Sequence, residues 1–226
     1  MSKPVVHLFH LGIYEKNRDS FYQVGVKNFQ TSYEEEVGTL AMYASSLSEN
    51  PLEYKVFEVY ADEAAYQSHR NSPHFKAYVE QVGSQLTKRE VYEVEALFLE
   101  EKLPSGIWLE AEDHFLKFAQ VQVEAGSKKA FERSVLLNMQ TSIKEEAGVL
   151  AMYAVKDCQQ SNRYYFYEVY ASAKSYEDHR LTPHFQRYIS ETQDMVEEKI
   201  LQDLENSMAI SKGQLYSSIY KSVKTG

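Results

Sequence analysis

The chain of 226 residues is poor in the features that mark secreted, membrane and nucleic-acid-binding proteins. It has one cysteine, Cys158, so no disulfide can form within the chain, which fits a reducing compartment. No apolar run approaches the roughly 20 residues of a membrane-spanning helix, and the N-terminal MSKPVVHLFHLG lacks the long apolar stretch of a signal peptide. Lys and Arg number 24 against 33 Asp and Glu, without a basic cluster. We therefore expect a cytoplasmic protein that binds neither nucleic acid nor membrane.

Motifs of several enzyme classes are also missing. There is no Gly-rich phosphate loop or dinucleotide fingerprint, and no Gly-x-Ser-x-Gly elbow for a nucleophilic serine. His7 and His10 are three residues apart, so on a strand they face opposite sides. His69 and His74 are five apart across a proline, unlike the i, i+4 pair of a helical zinc site. The sequence therefore predicts no metal and no other cofactor.

Aromatic residues, by contrast, are abundant, with 18 Tyr and an aromatic content of 13%. A tyrosine combines a large apolar face with a hydroxyl group, which suits pockets for flat ligands as well as half-wet interfaces. Simple packing accounts for many of these side chains.

The main feature of the chain is an internal repeat with a constant offset of 110 residues (168 − 58). Two copies of this length indicate a duplicated domain, since solenoid repeats are shorter and more numerous. We predict a first domain at residues 1–101, a linker at 102–114, and a second domain with a C-terminal tail at 115–226. The repeated segments are Gly38–Ala44 (GTLAMYA) with Gly148–Ala154 (GVLAMYA), and Glu58–Tyr78 (EVYADEAAYQSHRNSPHFKAY) with Glu168–Tyr188 (EVYASAKSYEDHRLTPHFQRY).

Each copy is predicted to have the order β-α-β-β-α-β, which is that of a ferredoxin-like α+β domain. Helix N-caps are predicted at Asp62 and Ser172, and Gly38 and Gly148 are predicted as helix stops or turn residues, since glycine tolerates a positive φ. A single fourth strand is predicted at Val91–Leu99, whereas its counterpart Ile200–Ile210 is much less strand-like. Such a unit covers one sheet face with helices. We expect two units to pack their bare faces together as a pseudo-dimer within one chain, with further homo-oligomers left open.

The repeated motif resembles that of the antibiotic biosynthesis monooxygenase superfamily of dimeric α+β barrels. Its form is E-x-Y, then A/S-x-Y-x-x-H, then S/T-P-H-F, and it covers nearly the whole chain as two copies. The resemblance implies the fold, and three branches of chemistry. One branch oxidises quinols with O₂ without metal or flavin. A second isomerises a phosphorylated dione. A third degrades haem, but Val79 and Ile189 stand where that branch has its haem-ligating histidine, which argues against haem.

The motif supplies residues for base catalysis in an aromatic pocket. A histidine is a natural base near neutral pH, and a carboxylate can orient it. We predict His69 with Glu58, and His179 with Glu168, as catalytic pairs. The expected partners are O₂ and a small aromatic, or a dione in the isomerase alternative; a non-catalytic small-molecule binding protein is a third reading. The predicted substrate-binding residues are Tyr60, Tyr66, His74, Phe75, Tyr170, Tyr176, His184 and Phe185.

Overall fold

The computed structural model describes residues 3–110 and 114–215, which divide into two compact units. Among these residues, unit 1 contains 3–94, 104–110 and 204–214, and unit 2 contains 95–103, 114–203 and 215. The predicted tail lies outside the described residues from position 216 onward. The domain boundaries inferred from the repeat, 1–101, 102–114 and 115–226, stay a prediction.

Unit 1 is a ferredoxin-like sheet with three helices. Four strands run in the order β4-β1-β3-β2, and the C-terminal half of a last strand, β10, pairs with β2. Residues from the sheet and from α1 and α3 form one apolar core. The elements are β1 (Val5–Ile13), α1 (Arg18–Glu35), β2 (Thr39–Leu47), β3 (Asn50–Tyr60), α2 (Glu63–Asn71), α3 (Pro73–Gly83) and β4 (Leu86–Tyr92).

Unit 2 repeats this arrangement with its own core. Its strand order is β10-β7-β9-β8-β5. The elements of unit 2 are β5 (Val94–Glu101), β7 (Phe115–Val123), α4 (Lys128–Glu145), β8 (Val149–Asp157), β9 (Arg163–Tyr170), α5 (Ala173–Leu181), α6 (Pro183–Thr192) and the first half of β10 (Val196–Ser211). The short strand β6 (Gly106–Leu109) belongs to unit 1 and pairs with β10. The predicted fold class, tandem ferredoxin-like α+β, is confirmed.

The prediction for the fourth strand was wrong in both copies. The segment predicted as one strand is divided at Glu93 into β4, which pairs with β1, and β5, which belongs to unit 2. The segment judged weakly strand-like lies within the 16-residue β10. The first half of β10 is largely exposed and therefore carries polar residues, which hides its strand pattern in the sequence.

Local signals around the repeated motif were read correctly, with one exception. Asp62 accepts a hydrogen bond from the backbone N–H of Ala65, and Ser172 caps α5 in the same way. Gly38 lies in the turn after α1, as predicted, but it is not one of the described glycines with positive φ. A Cβ atom at Gly38 would lie 2.4 Å from the Cβ of Ala65, so glycine is required there because α2 approaches closely.

None of the helices within the described ranges is long and apolar enough to cross a membrane. The cytoplasmic location stays a prediction.

Candidate active site

One cavity of unit 1, about 660 Å³ in volume, lies between the sheet and the helices α2 and α3. It contains two residues predicted for substrate binding, Tyr66 and Phe75, and the predicted catalytic residue Glu58. Aromatic and aliphatic side chains form most of the remaining wall, including Phe9, Val56 and Tyr78. A cavity of this size and character suits a small flat molecule.

Glu58 is the buried acidic group of this cavity. It lies directly opposite His7 across the β1–β3 pair, so both side chains project from the same face of the sheet. The Tyr60 hydroxyl donates a hydrogen bond of 2.9 Å to the Glu58 carboxylate. Burial raises the pKa of Glu58, outweighing the opposing effect of nearby His69. Burial and then the adjacent Glu58 raise the pKa of Tyr60 well above its usual value, so Tyr60 remains a neutral donor.

His69 is brought to this region, but its hydrogen-bonded carboxylate is not the predicted Glu58. Its Nδ1 atom lies 2.8 Å from Oε2 of Glu36. The reason is local: Glu36 follows the last residue of α1, and α2 crosses closely over this point at Gly38. The ring of His69 is buried, with centroids 5.3 Å from Tyr60 and 4.5 Å from Phe75. Within the described part of the chain, Nε2 of His69 has no hydrogen-bond partner.

Glu36 is a functional candidate that the sequence reasoning missed. Its Oε1 atom lies 3.1 Å from Nε2 of His74, and Thr39 Oγ1 donates a 2.6 Å hydrogen bond to Oε2. Burial alone would raise the pKa of Glu36, but the hydrogen bonds from His69 and Thr39 outweigh burial and lower it. Glu36 therefore accepts a hydrogen bond at His69, while His74 lies beside its second oxygen. Its recurrence as Glu146, at the offset of the repeat, is the signal in the sequence that could have identified it.

Unit 2 reproduces this group of three side chains. Oε1 of Glu146 lies 2.9 Å from Nδ1 of His179 and 2.6 Å from Nε2 of His184. Tyr170 donates a 2.7 Å hydrogen bond to Glu168, as Tyr60 does to Glu58. The predicted partner of His179 was Glu168, and here too the observed partner is the residue after the long helix.

The corresponding cavity of unit 2 has a different wall. It measures about 840 Å³ and contains the predicted Tyr176 and Phe185. Lys117 stands where unit 1 has His7, and its ammonium group forms an ion pair with Asp203. Arg180 and Lys199 line it as well, as their counterparts Arg70 and Arg89 line the unit 1 cavity. Its acidic residues are Glu177 and Asp203, where the unit 1 cavity has Glu58.

His7 is a second residue that sequence reasoning did not assign to the site. Its ring lies 4.0 Å from that of Tyr66, and its Nε2 atom is buried without a hydrogen-bond partner among the residues the structure describes. Burial lowers its pKa despite the opposing charge of Glu63. The repeat could not identify it, because position 117 holds lysine; its register opposite Glu58 is the signal that would have done so.

Two groups of side chains have the composition of a metal site. The ligand atoms of Glu36, His69 and His74 lie within 4.8 Å of one another, and so do those of Glu146, His179 and His184. Two imidazoles and one carboxylate are a familiar donor set for divalent transition metals.

Comparison with known proteins places the chain in a family. The model of the family described as antibiotic biosynthesis monooxygenase matches residues 4–81 and again residues 114–191. The chain belongs to this family. The two matches confirm the tandem duplication of an antibiotic biosynthesis monooxygenase domain. No curated protein matches the chain significantly.

Solved structures of similar tandem proteins agree with this assignment. One, from Lactobacillus acidophilus, is described as a "putative monooxygenase"; it is 25% identical, with a TM-score of 0.87 over 94% of this chain and 98% of its own. Another with the same description, from Fusobacterium nucleatum, is 19% identical, with a TM-score of 0.85 over 94% of this chain and 96% of its own. The second likeness supports the fold alone.

Proposed function

We propose that unit 1 is a cofactor-independent monooxygenase that acts on a quinol or a similar small aromatic. The observation that carries the proposal is the proximity of three groups: an aromatic cavity, the buried Glu58 in its wall, and His69 beside them with an unpartnered Nε2. Family membership and the tandem relative support monooxygenation as the general activity.

In this proposal a proton passes from the phenol to Glu58 and on to Nε2 of His69. Glu58 faces the cavity, and burial raises its pKa, which makes it a stronger proton acceptor than an ordinary carboxylate. Glu36, hydrogen-bonded to Nδ1 of His69, stabilises the imidazolium ion that forms, as the carboxylate of a catalytic triad does. His69 and Glu58 remain the catalytic pair of the sequence prediction, but their roles change. Glu58, predicted as the carboxylate that orients His69, becomes the first proton acceptor, and Glu36 takes the orienting role.

The chemistry balances without an external reductant. The phenolate gives one electron to O₂, and the radical pair combines to a peroxide at a ring carbon. The ring then loses that carbon's hydrogen while the O–O bond breaks, releasing water. Overall, a quinol and O₂ give a hydroxyquinone and H₂O. All four electrons come from the substrate, so the protein supplies a proton acceptor, a proton donor and a water-poor aromatic enclosure.

A second candidate function is isomerisation of a phosphorylated dione. Arg70, Lys88 and Arg89 line the same cavity and provide a cationic rim for an anionic group. Proton removal next to a carbonyl would use the same Glu58 and His69. A non-catalytic binding protein would use the cavity but not the proton-transfer groups.

Oxygen consumption with a panel of reduced quinols, in the presence of a chelator, tests the proposal. We expect consumption above autoxidation that is lost in His69→Ala. His179→Ala is the matched control, because it removes the equivalent imidazole from unit 2. No consumption by the wild-type protein with any quinol would contradict the monooxygenase proposal. Solvent deuterium incorporation into a phosphorylated dione would then favour the isomerase, and ligand binding without turnover would favour the binding protein.

A further inference from the structure

We propose that each unit holds a divalent metal ion of the zinc type, bound by Glu36, His69 and His74 in unit 1 and by Glu146, His179 and His184 in unit 2. The ligand atoms are Nδ1 of the first histidine, Nε2 of the second and a carboxylate oxygen. Each site lies at the C-terminal end of a long helix, α1 in unit 1 and α4 in unit 2. In unit 1 it uses Nδ1 of His69, the ring nitrogen that faces Glu36.

The three donors already converge in both units. Each carboxylate lies between 2.6 and 3.1 Å from both imidazole nitrogens. A tetrahedral zinc ion with bonds of about 2.0–2.1 Å separates its ligand atoms by about 3.3 Å. Small side-chain rotations therefore suffice to admit the ion. Ser32 Oγ lies 3.4 Å from Nδ1 of His69 and 3.1 Å from Nε2 of His74, next to the same group.

The local fold explains how histidines five residues apart can act together. His69 is in the last turn of α2, and His74 is in the first turn of α3. The helical path is interrupted between them at Ser72 and Pro73. Ser72 has an extended backbone, and its side chain caps α3. The break allows two different ring nitrogens to point at one carboxylate that arrives from 33 residues earlier. Spacing along the sequence cannot reveal such a site.

The site has an entry path and supporting hydrogen bonds, as a metal site requires. Glu36 and His74 line a surface cleft of about 540 Å³, and His184 lines another of about 320 Å³ in unit 2. Thr39 donates a hydrogen bond to Glu36, which holds the carboxylate of the unit 1 group in place.

Metal binding has a consequence for unit 1 that rests on the proposed function. A metal on Nδ1 leaves neutral His69 with its proton on Nε2, where it can no longer accept another. Zinc is therefore expected to inhibit base-dependent turnover. This would make the metal a regulator of the cavity chemistry, with no part in the reaction itself.

Direct zinc binding to the chelator-treated full chain is the test, in a Cys158→Ser background because the thiol is an exposed alternative ligand. We expect two Zn²⁺ per chain by equilibrium dialysis, one after either His74→Ala or His184→Ala, and none after both. Thr39→Ala, which removes only a supporting hydrogen bond, is expected to weaken one site about 10- to 100-fold. His10→Ala is the control: His10 lies 2.5 and 3.4 Å from Glu53 and Glu90, but through two different nitrogens of one ring.

Wild-type protein that binds no zinc, or a double variant that still binds two ions, would overturn the inference. Substitution with Co²⁺ provides an independent reading, since ligation by two imidazoles gives visible absorption bands that the double variant should lose. These measurements need no turnover, so they stand even if no quinol is oxidised. If turnover is found and zinc binds without inhibiting it, the site remains and the regulatory role is excluded.

Discussion

The two cavities share one tyrosine and one phenylalanine of the repeated motif, Tyr66 with Tyr176 and Phe75 with Phe185, but the rest of their walls differs. Unit 1 has His7 opposite the buried Glu58, whereas unit 2 has Lys117 paired with Asp203. Both units keep the Glu–His–His group behind the cavity. The two copies have thus kept the same Glu–His–His group but have different side chains in the cavity wall that would contact a ligand. The comparison teaches that retention of the motif in both copies does not predict the same chemistry in both cavities.

The largest expected effect is on turnover by unit 1. His69→Ala should lower kcat for a quinol by about 10²- to 10⁴-fold, the usual contribution of a positioned base. His179→Ala should leave most of the activity, since unit 2 lacks the His7 and Glu58 arrangement. Steady-state oxygen uptake by both variants checks this. Equal losses of activity in the two variants would show that both cavities catalyse turnover, and would contradict the assignment of the activity to unit 1.

A somewhat smaller effect is expected for the carboxyl group of the cavity. Glu58→Gln should lower kcat by about 10²-fold, because glutamine cannot carry the proton. In the wild type, Glu58 must be ionised to accept a proton, so activity should fall as the pH drops through its raised pKa. That acidic limb should lie above the ordinary range for glutamate. The pH–rate profile measures it, and an acidic limb that persists unchanged in Glu58→Gln would assign it to another group.

The shared group should matter for stability in both units. Glu36→Gln and Glu146→Gln should each lower the free energy of unfolding by about 1.5–3 kcal/mol, the value of hydrogen bonds to a charged group. Both carboxylates have lowered pKa values in the folded state, so this stabilisation is present above the unfolded pKa and is lost as the pH falls through the folded pKa. Urea unfolding at several pH values measures the effect. The two variants should agree; a difference above about 1 kcal/mol would mean that the groups are not equivalent.

The smallest expected effect concerns the charge of the unit 2 cavity. Lys117→His should weaken the binding of an anionic aromatic dye to unit 2 by about fivefold, corresponding to roughly 1 kcal/mol for a partly screened charge. The reverse change, His7→Lys, should strengthen binding in unit 1. Fluorescence titrations of both variants provide the measurement, and unchanged affinity in both would show that position 7/117 does not select ligand charge.

Much of the fold was predictable, because its signals are local or repeated. The N-caps at Asp62 and Ser172 depend on a few neighbouring residues, and the 110-residue offset doubles every signal. The division of a strand at Glu93 was not predictable, since β4 and β5 continue one apolar pattern and differ only in distant pairing partners.

The candidate site was predictable only in part, because some of its residues come from segments that are distant in the sequence. The cavity residues Tyr66 and Phe75 lie with His69 in one short motif, and the structure brings these three side chains together. Glu36 comes from another element, and only the approach of α2 to the end of α1 makes it the partner of His69. His7 comes from a strand whose register with β3 is set by the whole sheet.

The membership of β10 in unit 1 has a consequence for synthesis of the chain. Until residues up to 211 have left the ribosome, β2 is an uncovered sheet edge, and β2 itself ends at residue 47. About 160 residues (211 − 47) must be translated in that interval, which takes on the order of 10 to 30 s at typical rates. An open edge is a template for pairing with another chain. In unit 2, β8 meets β5 already made, and β7, which ends at Val123, also pairs with β10. The open edge therefore lasts longest in unit 1.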